Sequence, residues 1–152
     1  MVPQETMTLT SPAFGDGAAI PHRHACEGDD LSPPLMWAGA PAQTRSFALI
    51  VDDPDAPAGT FVHWVAWGIA PDARALTEGE RTRMEGRNGF GTIGYRGPCP
   101  PRGDGAHRYF FRLHALDAEI ALRAGAEADD LLEAIAGHVL ASGELIGRYE
   151  RN

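Results

Sequence analysis

Between Ser46 and Ile69 two apolar runs alternate with a period of two residues, and Asp52-Asp53-Pro54-Asp55-Ala56-Pro57 separates them. In the first run, Phe47, Leu49, Val51 and Asp53 share one face, while Ser46, Ala48, Ile50 and Asp52 share the other. In the second, Val62 to Ile69, the same rule puts His63, Val65, Trp67 and Ile69 together. A third run, Arg108 to Leu116, continues a set that begins with His107: His107, Tyr109, Phe111, Leu113 and Ala115 form its more apolar side. Arg108, Phe110, Arg112 and His114 form the other. Alternation of this kind dictates strands, and a chain with three such runs builds its core from sheets.

The flanking segments agree. Eighteen Gly and twelve Pro favour many short elements joined by turns. Residues 6 to 14 predict a first strand that Pro12 limits to an edge or an end. Ser32-Pro33-Pro34-Leu35-Met36-Trp37 reads as extended, because each proline disfavours helix at the residue before it. Asp72 to Arg87 is a polar connection, and Gly97-Pro98-Cys99-Pro100-Pro101 a rigid loop. One helix is predicted: Leu131, Ile135 and Val139 recur every four residues, as do Leu132, Ala136 and Leu140. Asp129 and Asp130 suit its positive end, and Gly143 suits a left-handed residue beyond its last turn. The tail from Glu144 to Tyr149 holds a short extended piece at Leu145-Ile146. The expected architecture is mainly β, one domain over residues 1–152, with a helix near the C-terminus.

Charge and composition narrow the function classes. A formal net charge of −8 opposes general binding to nucleic acid or an anionic membrane, while leaving room for a local anion site. All thirteen cations are arginines, so lysine Schiff-base chemistry is excluded. No apolar stretch approaches a membrane span, and Met1 to Glu5 shows no basic-then-apolar leader pattern, so a cytoplasmic protein is expected. Cys26 and Cys99 are too few for a disulfide framework or a cysteine-rich zinc site. Two inert buried thiols are the expectation, with a redox-sensitive pair as the alternative.

Three predicted strands end in polar residues on core-facing sides. If those ends converge, Asp53, His63, His107 and Tyr109 line one small cavity, and Gly97 and Cys99 could offer backbone N–H groups to it. Such donors suit a phosphate or a carboxylate, with Asp53 holding a histidine protonated. Each residue also has a plainer use: Asp beside Pro is a routine turn former, and Tyr109 could be simple core. The four serines occupy no recognisable nucleophile setting. His63, His107 and Asp53 could form a two-histidine, one-carboxylate metal site, but no helical His-x-x-x-His pair supports it.

The run Asp53-Pro54-Asp55-Ala56-Pro57, then His63-Trp64, Gly97-Pro98-Cys99-Pro100-Pro101 and His107-Arg108-Tyr109 resembles the phosphatidylethanolamine-binding protein family, the Raf kinase inhibitory protein-like proteins. Ile20-Pro21, Cys26-Glu27-Gly28, Ser32-Pro33-Pro34-Leu35 with Trp37, Gly91 to Tyr95, Gly137-His138-Val139-Leu140 and Glu144-Leu145-Ile146-Gly147 resemble its bacterial and archaeal branch. The resemblance implies an antiparallel β-sandwich-like fold and an anion pocket instead of an active site. It places Asp53, His63, His107 and Tyr109 in that pocket, with Asp55, Gly97, Pro98 and Cys99 at its mouth. It also implies a cis peptide at Pro57 and a homodimer. No cofactor or metal is expected. Asp30 departs from the family's usual Asn, and the long C-terminal region of eukaryotic members is absent. The leading expectation is a non-catalytic binder of phosphate or phosphorylated head groups. The alternatives are a module inhibiting a serine protease or kinase, and a metal-assisted hydrolase.

Overall fold

The computed structural model describes residues 5–152, so residues 1–4, part of the stretch read as leaderless, lie outside it. In chain order the elements begin with β1 (Glu5–Thr6), β2 (Thr8–Thr10), a 3-10 turn at His22–His24, β3 (Leu35–Ala38) and β4 (Ser46–Asp53). They continue with β5 (Phe61–Ile69), β6 (Ala75–Leu76), β7 (Met84–Glu85), β8 (His107–Leu116), α1 (Ala128–Ile135) and β9 (Val139–Tyr149). Two sheets result, in the orders β1-β9-β8-β4-β5-β7 and β2-β3-β6. β1 runs parallel to β9, and the remaining pairs are antiparallel.

The six-stranded sheet is covered on both faces. Against the small sheet it buries Phe47, Leu49, Trp64, Phe111 and Leu113, with Trp37 contributed from β3. On the opposite face Ala48, Ile50, Val65 and Trp67 pack with Leu131 and Ile135 of α1. This explains why β4 is apolar on both of its alternating sets. Each fully buried side chain of this size stabilises the fold by roughly 1.5–3 kcal/mol.

Several expectations are corrected. The first predicted strand is two short ones, because the chain changes sheets at Met7: Thr6 pairs with Ser142, and Thr8 with Ala38. The polar connection after Asp72 contains β6 and β7, each only two residues long. The helix stops at Ile135, and Gly137, at φ +82°, turns the chain into β9. Val139 and Leu140 therefore open an eleven-residue strand. A four-residue spacing is even, so it also places residues on one face of a strand, and this is why helical periodicity overran. Gly143 lies inside β9, where a side chain would press within 2.9 Å of the Met7 carbonyl oxygen.

The face assignment of β5 also changes. Its pairing with β4 shifts register between Val51 and Asp52 and again between Phe47 and Leu49. Trp64 pairs with Val51 and Val62 with Asp52, so His63 is an extra, unpaired residue. An inserted residue of this kind reverses the alternation beyond it. Val65 and Trp67 face the helix, whereas Trp64, Ala66 and Ile69 join the sandwich core. No cis peptide occurs among the described residues. Pro57 is trans because it sits at the second position of a turn closed by Gly59 N–H donating to the Ala56 carbonyl, 3.0 Å being typical and 3.1 Å observed. That position suits trans proline, whereas a cis proline belongs one residue later in a turn.

Candidate functional site

At the Asp53 end of β4 the strand ends enclose a cavity of about 200 Å³. β4 supplies Asp53, β5 supplies Phe61 and His63, and β8 supplies His107 and Tyr109. Pro57, Phe90, Cys99 and Pro101 are among the residues that close it. The four residues expected to converge do so, and Asp53, His63, His107 and Tyr109 are all buried.

Both Asp53 oxygens are engaged. Its Oδ1 accepts the Asp55 backbone N–H at 2.8 Å, and its Oδ2 lies 2.7 Å from His107 Nδ1. His107 Nε2 is in turn 2.6 Å from Asp104 Oδ2. An imidazole with a carboxylate on each nitrogen satisfies both only when it carries both protons. Burial pulls the His107 pKa down, but the Asp53 and Asp104 hydrogen bonds outweigh it and leave the pKa raised above 6.5.

His63 is different. Its Nδ1–H donates to the Arg96 carbonyl at 2.7 Å, and burial lowers its pKa below 6.5 despite that bond. The neutral ring therefore keeps Nε2 as a free acceptor. The ring stacks edgewise on Tyr109 at 5.2 Å and near Phe61 at 5.1 Å. Of the two histidines, Asp53 thus holds only His107 in its cationic form. The Tyr109 hydroxyl is buried and meets no partner in hydrogen-bonding geometry; Asp53 is the carboxylate near enough to interact with it, and burial, then that carboxylate, push its pKa up.

The residues expected at the mouth divide. Cys99 lines the cavity, but Asp55, Gly97 and Pro98 do not. Asp55 is bound by Arg108 through its backbone N–H at 2.9 Å and its guanidinium at 2.9 and 2.8 Å. The Arg108 hydrogen bond holds the Asp55 carboxyl down at about 2. Gly97 spends its N–H on Asp30 at 2.6 Å and cannot offer it to a ligand. It is glycine because a Cβ there would lie 2.0 Å from the His24 carbonyl oxygen. The Pro98 carbonyl accepts the Cys26 N–H at 3.0 Å. These residues brace the wall from behind.

Three contributors were missed by sequence reasoning. Asp104 sits between two glycines, Gly103 and Gly105, and its place three residues before His107 is a usable signal. Asp30 takes a left-handed backbone at φ +59°, which Asp tolerates, and grips Arg96 Nε at 2.9 Å as well as Gly97. Phe90 closes an aromatic edge with Phe61 and His63, and no local pattern marked it.

Cys26 and Cys99 are joined in a disulfide, which replaces the expected free thiols. Two cysteines 73 residues apart say nothing in sequence about contact; their loops are joined by the Cys26 N–H to Pro98 carbonyl bond, the Tyr95 hydroxyl on the His24 carbonyl and the Asp30 contacts to Arg96 and Gly97. Such pairs persist in oxidising compartments and in the cytosol of hyperthermophiles. Among the described residues, no helix is long and apolar enough to cross a membrane, and no three His, Cys, Asp or Glu side chains are grouped to hold a metal ion.

A two-sheet sandwich with a small, largely apolar cavity at its strand ends, into which Asp53, His63, His107 and Tyr109 are set, defines the class. The family model described as phosphatidylethanolamine-binding protein matches residues 10–150, and the chain belongs to that family. A UPF0098 protein of Methanothermobacter thermautotrophicus is 49% identical over 95% of this chain and 99% of its own length. The crystal structure of a phosphatidylethanolamine-binding protein homolog from Chlamydia trachomatis superposes with a TM-score of 0.92, at 40% identity, over 98% of this chain and 100% of that one. E. coli YbcL, described as a member of the mammalian family, gives 0.89 at 30% identity over 96% and 99%.

Proposed function

We propose that the cavity binds a small oxyanion of the phosphate class without transforming it. The observation that supports this reading is the Tyr109 hydroxyl, a buried donor with no partner, in the same cavity as the His107 imidazolium. A buried hydroxyl without a bond is costly, and an anion oxygen would satisfy it. The volume of about 200 Å³ is several times the roughly 30 Å³ share of one water, enough for a tetrahedral anion with a short substituent. Two features favour binding over catalysis. The Cys99 sulfur is tied up in the disulfide, and both Asp53 oxygens are engaged, so neither is a ready nucleophile.

Calorimetry with sulfate, which does not titrate near neutrality, tests this across pH 5.5–9. Affinity should weaken as pH rises through the raised His107 pKa, where the imidazolium that offsets the Asp53 and Asp104 carboxylates loses its charge. It should strengthen below pH 6.5 as His63 gains a proton. His107→Ala should abolish the first change and His63→Ala the second. Equal weak binding by all three proteins at every pH would overturn the proposal.

A further inference from the structure

At the other end of the same strand lies a second and larger concavity, a groove of about 720 Å³ beside Ser46. Ser46 and Asp53 bound the eight-residue β4, so the groove and the cavity are roughly 23 Å apart at the usual rise per residue. The groove exists because the sandwich is unfinished there. β6 and β7 are two residues each, and β5 bends at Gly68, which takes a left-handed backbone at φ +70°. The segments carrying Arg83 and Arg123 wall the opening.

Its chemistry is amphipathic. The floor is hydrocarbon: Ile69 is buried, and Met84, Ile120 and Leu122 are half-buried along it. The rim carries Arg45, Arg83 and Arg123, all exposed. Arg81 also lines the groove but is paired with Glu85, and Arg23, Arg96, Arg102, Arg108 and Arg112 are ion-paired elsewhere in the molecule. The three rim arginines have no ion-pair or hydrogen-bond partner for their side chains among the described residues. Two carboxylates also line the groove. Glu80 accepts the Thr77 N–H at 2.8 Å and hydroxyl at 3.1 Å but keeps its charge, so Glu80 and Glu119 stand against three unpaired guanidinium groups and the balance is one positive charge. A local cationic excess in a chain of net charge −8 marks this rim as a place for an anion.

We infer that this groove is a binding site for a linear amphiphile, a medium-chain carboxylate whose alkyl chain lies on the Ile69–Met84–Ile120–Leu122 floor and whose head is met by Arg45, Arg83 and Arg123. A hydrocarbon floor matches an alkyl chain and would leave the amides of an acidic peptide without hydrogen-bond partners. Arginine suits the head group because its planar fork grips a carboxylate through two parallel bonds. The site is separate from the Asp53–His107 cavity and does not depend on how that cavity is used.

The test is calorimetric titration of the full chain with decanoate, with decanol and sulfate as probes of chain and charge alone. Decanoate should bind one to one, decanol at least about tenfold more weakly, a difference equal to one moderate ionic contact. Arg45→Gln/Arg83→Gln/Arg123→Gln should weaken decanoate by about tenfold or more while the urea midpoint of the protein is unchanged. Affinity should stay flat between pH 6 and 9, since arginine keeps its charge throughout. Any of four results would overturn the inference: no saturable decanoate binding, decanol binding equally well, decanoate binding that survives the triple variant, or an acidic peptide displacing decanoate. Sedimentation of the same variant supplies a further check, because a change in oligomeric state would make the groove a self-contact instead.

Discussion

Replacing Tyr109 by Phe removes one oxygen from a side chain that is 1% exposed and has no hydrogen-bond partner for its hydroxyl. The ring packing on His63, at 5.2 Å and edge-on, is retained. A buried polar group left unsatisfied costs about 1–3 kcal/mol, so the ligand-free variant should be more stable by about 1 kcal/mol after allowing for the small void. In a chain of 152 residues that raises the melting temperature by about 2–4 °C. The anion should then respond in the opposite direction. A hydrogen bond to a charged acceptor is worth about 1.5–3 kcal/mol, so sulfate affinity should fall at least about tenfold. Thermal melts without ligand and calorimetry with sulfate measure the two effects on one protein. A Tyr109→Phe variant that melts lower than its parent and binds sulfate equally well would refute the reasoning, because the hydroxyl would then serve the fold and not the ligand.

Other substitutions probe the wall and its charge. Gly97→Ala sets a methyl group 2.0 Å from the His24 carbonyl oxygen and 2.9 Å from Ala25 Cα, backbone atoms that cannot swing aside; urea unfolding should show a loss of about 2–4 kcal/mol. Reducing Cys26–Cys99 opens a loop of 73 residues' separation and should cost about 4 kcal/mol by chain entropy, read as a lower urea midpoint with reductant and two thiols by mass tagging. His107 has a folded pKa above its unfolded value of about 6.5, so its contribution to stability is complete below that pH and is lost as pH rises through the folded pKa. The parent should therefore lose more stability than His107→Gln over that window, and proton NMR of Asp104→Asn should show His107 titrating at lower pH than in the parent.

Regular alternation made the core legible. Phe47, Leu49 and Val51, and Phe111, Leu113 and Ala115, lie where a period of two puts them. The same rule placed Asp53, His107 and Tyr109 at strand ends on the core side, which is where the cavity forms. It failed for His63, because nothing in Phe61-Val62-His63-Trp64 announces that one residue there goes unpaired. It singled out Asp53 but could not give Asp53 and Asp55 their partners. Both carboxylates stand beside prolines, and only the fold gives one a histidine and the other Arg108. Long-range pairings such as Asp30 with Gly97 and Cys26 with Cys99 have separations of 67 and 73 residues, beyond any local pattern.

The irregular residues are what turn a sandwich into a binding site. Had β5 run straight from Phe61 to Ile69, His63 would share the face of Val65 and Trp67 and point toward α1. The register shift releases it from that face, and it lines the cavity instead, with Nδ1 fixed by the Arg96 carbonyl. The second shift, at Gly68, has the same physical origin and opens the other end of the strand pair into the arginine-rimmed groove. An extra residue costs a ladder hydrogen bond, and a strand retains that cost where a side chain must be re-aimed or an edge opened. β5 carries one at each end, so the strand between β4 and the edge strand β7 sets the geometry of both concavities.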